Sequence, residues 1–241
     1  MNVENIFLSG NMGQEALGAL SAMPKLKNIC INWSADQFDF SSITSWKNSS
    51  RLEGFFLRCF GIKNNFQEEE HITTFASLKH LVLSNTSLLP QSLSCLLQPA
   101  CLESVYLEGL WNFHSLNTIQ VSPALKHLFI ENMEENSDLE GQFLDELLNG
   151  LQHATFVKQL ETLSIQCQYF TFEKLSQLPT TPKKLIIAGM YDPQTFAHIE
   201  QFKQQRPQQQ IELLQRSQMN VRRILPAVKS IVDSFTAAGY E

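Results

Sequence analysis

Leu78-Lys79-His80-Leu81-Val82-Leu83-Ser84-Asn85-Thr86-Ser87-Leu88-Leu89-Pro90 is the stretch that the rest of the chain copies. Leu78, Leu81 and Leu83 set apolar residues three and then two apart, which suits a short strand entered from a turn, and a small polar cluster ends it. The phrase returns as Val3-Ile6-Leu8, Leu26-Ile29-Ile31, Leu52-Phe55-Leu57, Leu102-Val105-Leu107, Leu125-Leu128-Ile130, Leu160-Leu163-Ile165 and Pro182-Leu185-Ile187, with a degraded ninth copy at Ile211 and Leu213. Successive middle residues lie 23, 26, 26, 24, 23, 35, 22 and 26 positions apart. Self-similarity at a period of roughly 20–50 residues marks a stacked array, because one strand and one crossover cannot bury their inner faces alone.

The intervals suit helices on an outer layer. Gln14 to Met23, Ser87 to Leu97 and Pro193 to Gln205 carry apolar residues at three-to-four spacing: Ala16, Leu17 and Leu20; Leu89, Leu93, Leu96 and Leu97; Phe196, Ile199 and Phe202. Pro24, Pro99 and Pro207 follow them as stop signals. The interval of 35 is the outlier. Ser137 can cap a helix from Asp138 to about Ala154, with Leu139, Phe143, Leu147, Leu148 and Leu151 on one side and Glu134, Glu135, Asp138, Glu140, Asp145 and Glu146 making it acidic. That acidic side reads as a solvated face or, more sharply, as a second binding surface. An array also needs ends that hide its terminal core. Pro226 can open a capping helix to about Ala238, with Val228, Ile231, Val232 and Phe235 inward. The expected organisation is a repeat domain over residues 1–214 and a cap over 215–241 packed on it. Nothing comparable precedes Val3, so either another element covers that edge or the chain was cut from a longer protein, and the cut is the expectation here.

Composition narrows the function. The chain has 241 residues, 43% hydrophobic and only 17% charged, which sets it apart from disordered tails. A net charge of −6 and a pI near 5.5 argue against nucleic acid, whose phosphates need a basic stripe, and favour partners with basic surfaces. No apolar run long enough for a membrane span occurs, and Met1 to Gly10 lacks the pattern of a secretory signal. The five cysteines form no Cys-x-x-Cys pair, so a reducing, cytoplasmic compartment is expected. There is no phosphate-cradling Gly-rich loop, no Gly-x-Ser-x-Gly and no His-Glu-x-x-His. No catalysis, no metal and no cofactor are expected.

The set of copies resembles the leucine-rich repeat family, in its irregular strand-plus-helix type found in ribonuclease-inhibitor-like and F-box-associated proteins. The resemblance covers roughly residues 3 to 214, and the first copy supplies Asn11 where that family places an asparagine. The other copies depart from it, with Phe60, Thr86, Leu110, Met133, Gln168 and Met190. The resemblance implies an α/β solenoid: a right-handed β-α superhelix with a parallel sheet on the concave face and helices on the convex face. It also implies a protein or peptide partner.

In such strands the apolar residues point into the core and those between them point to the concave side. The residue after the first apolar position reads Glu4, Lys27, Glu53, Lys79, Glu103, Lys126, Glu161, Lys183, an unbroken alternation of sign that reads as register control. Between the last two apolar positions stand Phe7, Cys30, Phe56, Val82, Tyr106, Phe129, Ser164 and Ile186. Their expected exposure would make Phe56, Val82, Tyr106 and Phe129 an apolar docking strip. Asn5, Asn28, Gly54, His80, Ser104, His127, Thr162 and Lys184 flank it on one side, and Ser9, Asn32, Arg58, Ser84, Glu108, Glu131, Gln166 and Ala188 on the other. The expected contact set is Phe56, Arg58, His80, Val82, Tyr106, Glu108, His127, Phe129 and Glu131, centred on an acidic aromatic pocket around Glu108 and Glu131. Trp33 and Trp111 would stand at its rim or pack inward. The roles considered are the substrate-reading part of a ubiquitin ligase adaptor, the ligand-sensing tail of a multidomain receptor, and a bacterial effector acting in a host cell.

Overall fold

A computed structural model describes residues 3–10, 14–33, 38–39, 49–59, 62–63, 75–84, 90–109, 119–132, 137–191 and 193–214. The copies become strands β1 (Asn5–Ser9), β2 (Asn28–Asn32), β4 (Gly54–Arg58), β6 (His80–Ser84), β7 (Ser104–Glu108), β8 (His127–Glu131), β9 (Thr162–Phe170), β10 (Lys184–Tyr191) and β11 (Gln210–Leu214). They form one nine-stranded sheet in the order β1-β2-β4-β6-β7-β8-β9-β10-β11. Every pair is parallel. Chain order and spatial order therefore coincide across nine strands, an arrangement that fits a repeat solenoid.

The register is the one the apolar spacing dictates. Leu81 pairs with Val105, and Val105 with Leu128. The degraded ninth copy takes its place too, with Leu185 opposite Ile211 and Ile187 opposite Leu213. A one-residue slip would turn every apolar residue to the other face, so the buried set enforces this alignment. The alternating-charge residues stack one before each strand, and their backbones continue the ladder: Lys27 N to Glu4 O at 2.8 Å, Glu53 N to Lys27 O at 2.7 Å and Lys79 N to Glu53 O at 2.8 Å. Side chains join them in pairs, Lys27–Glu4 at 3.3 Å, Lys79–Glu53 at 2.8 Å and Lys183–Glu161 at 3.5 Å. These pairs are largely exposed, so each contributes about 0–1 kcal/mol and serves register more than stability.

Helices α1 (Gln14–Ser21), α2 (Pro90–Leu97), α3 (Ser137–His153), α4 (Phe172–Ser176) and α5 (Pro193–Gln204) connect strands. Leu17 and Leu20 of α1, Leu93, Leu96 and Leu97 of α2, and Phe202 of α5 share one core with Ile29, Ile31, Leu81, Leu83, Leu107 and Leu163 of the sheet. In α2 and α5 proline holds the first helical position, where its missing N–H costs nothing. The long interval holds the expected helix: α3 buries Leu144, Leu147, Leu148 and Leu151. On its acidic side Asp145 pairs with Lys174 of α4, and Glu146 accepts from Gln142 Nε2 at 2.9 Å. Part of that charge is thus spent within the fold. No helix among the described residues is long and apolar enough to cross a membrane.

Two features are absent from the sequence reading. A second, two-stranded parallel sheet joins β3 (Phe38–Asp39) to β5 (Ile62–Lys63). Strands β9 and β10 run on past the others, with a register shift between Ala188 and Met190. Gly189 sits in that shift, where an added Cβ would lie 2.5 Å from the Cys167 carbonyl oxygen. The expected capping helix, Asn11 and Trp111 lie outside the described residues.

One expectation about the sheet is corrected. Phe56, Tyr106 and Phe129 are only 4%, 2% and 2% exposed, so they do not form an open apolar strip. Central strands β4, β7 and β8 are buried on both faces. The reason is the geometry of parallel pairing, which sets neighbours about 4.8 Å apart and lets large side chains in one column cover one another. Val82 lies opposite both Phe56 and Tyr106, and Tyr106 opposite Phe129.

Candidate recognition face

The face of the sheet away from the helices is built from three columns, each one residue per strand. The first holds Asn5, Asn28, Gly54, His80, Ser104 and His127. Asn28 Nδ2 donates to Asn5 Oδ1 at 2.7 Å, and His80 Nδ1 lies 2.6 Å from Ser104 Oγ. Gly54 leaves room for Asn28, whose Oδ1 would be 2.4 Å from a Cβ there. His80 and His127 are half-buried, and burial is the main reason both imidazoles are held below their ordinary pKa. Both are neutral at neutral pH and able to donate and accept.

The second column is the aromatic one. Its half-buried members are Phe7, Cys30 and Val82, while Phe56, Tyr106, Phe129, Ser164 and Ile186 are buried. Burial pushes the Cys30 thiol up to about 12, which leaves it protonated and unreactive. Ser164 is 1% exposed, and among the described residues its Oγ has no hydrogen-bond partner. Tyr106 reaches diagonally, donating its hydroxyl to Glu131 two residues along the next strand. Burial, then the nearby Glu131 and Glu108 charges, holds that phenol far above its ordinary range, so it stays a donor.

The third column, at the strand ends, carries the acid. Ser84 Oγ donates to Glu108 Oε2 at 2.5 Å, and Gln166 Nε2 donates to Glu131 Oε1 at 2.7 Å. Ser84 and Gln166 are buried while Glu108 and Glu131 remain half-exposed, so two carboxylates are held by buried donors with an edge left to solvent. Arg58 is exposed in the same column. Backbone bonds tie its far side: Cys59 N to Ser84 O at 3.0 Å, Gly109 N to Glu131 O at 2.8 Å and Asn132 N to Gln166 O at 3.0 Å. Gly109 adopts φ 61°, the left-handed turn that lets the chain leave the strand.

Of the nine expected contact residues, Arg58 is exposed and His80, Val82, Glu108, His127 and Glu131 are half-exposed, whereas Phe56, Tyr106 and Phe129 form a covered floor beneath them. The donors that hold the carboxylates, Ser84, Tyr106 and Gln166, were not recognised from sequence as a network. Their signal was available in the columns, where Ser84 directly precedes Glu108 and Tyr106 sits diagonal to Glu131. Trp33 is packed against the core, the inward alternative for it. Among the described residues no group of three or more His, Cys, Asp and Glu is placed to hold a metal ion.

The fold defines the class of protein in coarse form: an α/β chain built on a nine-stranded all-parallel sheet laid down in sequence order. No family model and no curated protein matches the chain. Among solved structures it is similar to the crystal structure of a protein from Bacteroides fragilis, at 13% identity and a TM-score of 0.40, over 88% of this chain and 74% of the other.

Proposed function

We propose that the chain is a leucine-rich-repeat solenoid that recognises a protein or peptide through its concave face and performs no chemistry. The observation that carries this reading is the row of half-exposed polar groups running across successive strands, His80 and His127 on one side of the covered aromatic floor and Glu108 and Glu131 on the other. A rigid surface with pre-set acceptors loses little conformational freedom on binding. The carboxylates, pre-oriented by Ser84, Tyr106 and Gln166, favour a basic or hydrogen-bond-donating segment. The floor residues act by rigidity, and selection falls to Arg58, His80, Val82, Glu108, His127 and Glu131.

A ubiquitin ligase adaptor, a receptor tail and a host-directed effector would all use such a face, and the partner decides among them. Five thiols, none in a disulfide, support a reducing cytoplasmic setting. The test compares partners recovered by the intact protein, by Arg58→Glu plus Glu108→Lys, and by Glu173→Lys, whose side chain is exposed on α4. Loss with the first variant and retention with the second supports the proposal. Equal recovery by all three, with each variant folded, removes the site from this face.

A further inference from the structure

A cavity of about 530 Å³ lies off the face described above, along the edge where β2, β4, β6 and β7 begin. Four cations line it, Lys25, Lys27, Arg51 and Lys79, against two carboxylates, Glu4 and Glu53. Both carboxylates are spent: Glu4 pairs with Lys27 at 3.3 Å and Glu53 with Lys79 at 2.8 Å. The Lys79 hydrogen bond holds the Glu53 carboxyl below its ordinary pKa, so it remains an anion. Among the described residues Lys25 and Arg51 have no carboxylate partner. They occupy equivalent positions in adjacent copies, each just before the first apolar residue, where the other copies carry Asn2, Ser77, Cys101, Ala124, Gln159 and Thr181. Arg51 Nη1 donates to the Pro24 carbonyl at 3.1 Å, which fixes its guanidinium across to the neighbouring copy.

We propose that this cleft is a second docking site, taking a short acidic peptide segment of a partner protein. Two uncommitted positive charges in a concave site call for two carboxylates. Adjacent strands about 4.8 Å apart set the two charges within side-chain reach of acids two residues apart on an extended chain, which share one face, and the Arg51 fork suits a carboxylate. A long polyanion is disfavoured. The chain as a whole carries −6, and two cations give too few phosphate contacts to hold nucleic acid, whose affinity grows with the number of phosphates neutralised. This site is separate from the acidic face and opposite to it in sign, so one may fail without the other.

Cys101 lines the same cleft and is the one exposed cysteine of the five, which supplies a native reporter. The experiment follows alkylation of Cys101 by uncharged N-ethylmaleimide, read by peptide mass, with acetyl-tetraglutamate amide, acetyl-tetraglutamine amide or inorganic phosphate at matched ionic strength. With a dissociation constant of about 1 mM, about 5 mM tetraglutamate leaves about one site in six free and slows Cys101 alkylation roughly sixfold. Tetraglutamine and phosphate leave the rate unchanged, and Lys25→Glu plus Arg51→Glu removes the protection. Should that pair perturb folding, Lys25→Gln plus Arg51→Gln gives the same loss. No slowing by tetraglutamate, or protection that survives in the folded variants, overturns the proposal. Equal protection by phosphate overturns the peptide as occupant and makes the cleft a site for small anions.

Discussion

Replacing Tyr106 decides between an exposed anchor and a covered floor. Tyr106 is 2% exposed and flanked by Val82 and Phe129, and its hydroxyl donates to Glu131. Truncation to alanine leaves a cavity where an aromatic ring was, at a cost of about 3–5 kcal/mol. Tyr106→Phe keeps the shape and removes only the donor. A hydrogen bond to a charged acceptor is worth about 1.5–3 kcal/mol. Glu131 is half-exposed and keeps Gln166 at 2.7 Å, so water recovers part of that and a loss of about 1–1.5 kcal/mol is expected. For a domain of this length that lowers Tm by about 2–6 °C. A double-mutant cycle with Glu131→Gln, read by urea unfolding, should return a coupling of about 1 kcal/mol. An exposed docking residue would behave otherwise, its alanine variant losing under about 0.5 kcal/mol, as surface positions do. That outcome would refute the covered-floor reading.

Other perturbations have graded outcomes. Gly189→Ala forces a Cβ against backbone at Cys167 and should cost about 1–3 kcal/mol, whereas Gly54→Ala meets the movable Asn28 amide and should cost less; thermal melts of both rank them. His80 and His127 have folded pKa values below the unfolded value of about 6.5, so the unfolded chain takes up more protons; their contribution is intact above that pH and lost as pH falls through the folded values. Stability should therefore drop from pH 7 to 5, and His80→Gln plus His127→Gln should flatten the slope in urea titrations at fixed pH steps. Lys79→Met breaks a largely exposed ion pair and should cost under about 1 kcal/mol, with 0.5 M salt erasing most of the difference in urea midpoint between wild type and variant.

Strand positions and register were legible in the sequence because the spacing of three and then two recurs in eight of the nine copies, and only one alignment buries all of them. Leu163 falls beside Leu128 despite the long interval between them, since α3 absorbs the extra residues without disturbing the strand. Exposure was not legible. The column from Phe7 to Ile186 alternates correctly with the core, yet alternation says only which face a residue takes, not whether its neighbours cover it. Covering depends on the sizes of residues from separate copies, Phe56, Val82, Tyr106 and Phe129, meeting about 4.8 Å apart. The β3–β5 pair escaped notice because two-residue strands leave no periodicity to read. The cleft of Lys25 and Arg51 escaped because those residues stand outside the strand pattern and gain meaning only once adjacent copies are stacked.

Methyl-to-methyl nuclear Overhauser effects in a sample labelled at Ile, Leu and Val methyls test the stacking itself. Parallel copies in register predict contacts running in chain order from Leu81 to Val105, from Val105 to Leu128 and from Leu128 to Leu163. A spectrum in which Leu81 contacts neither Val105 nor any other middle residue of a neighbouring copy would contradict it.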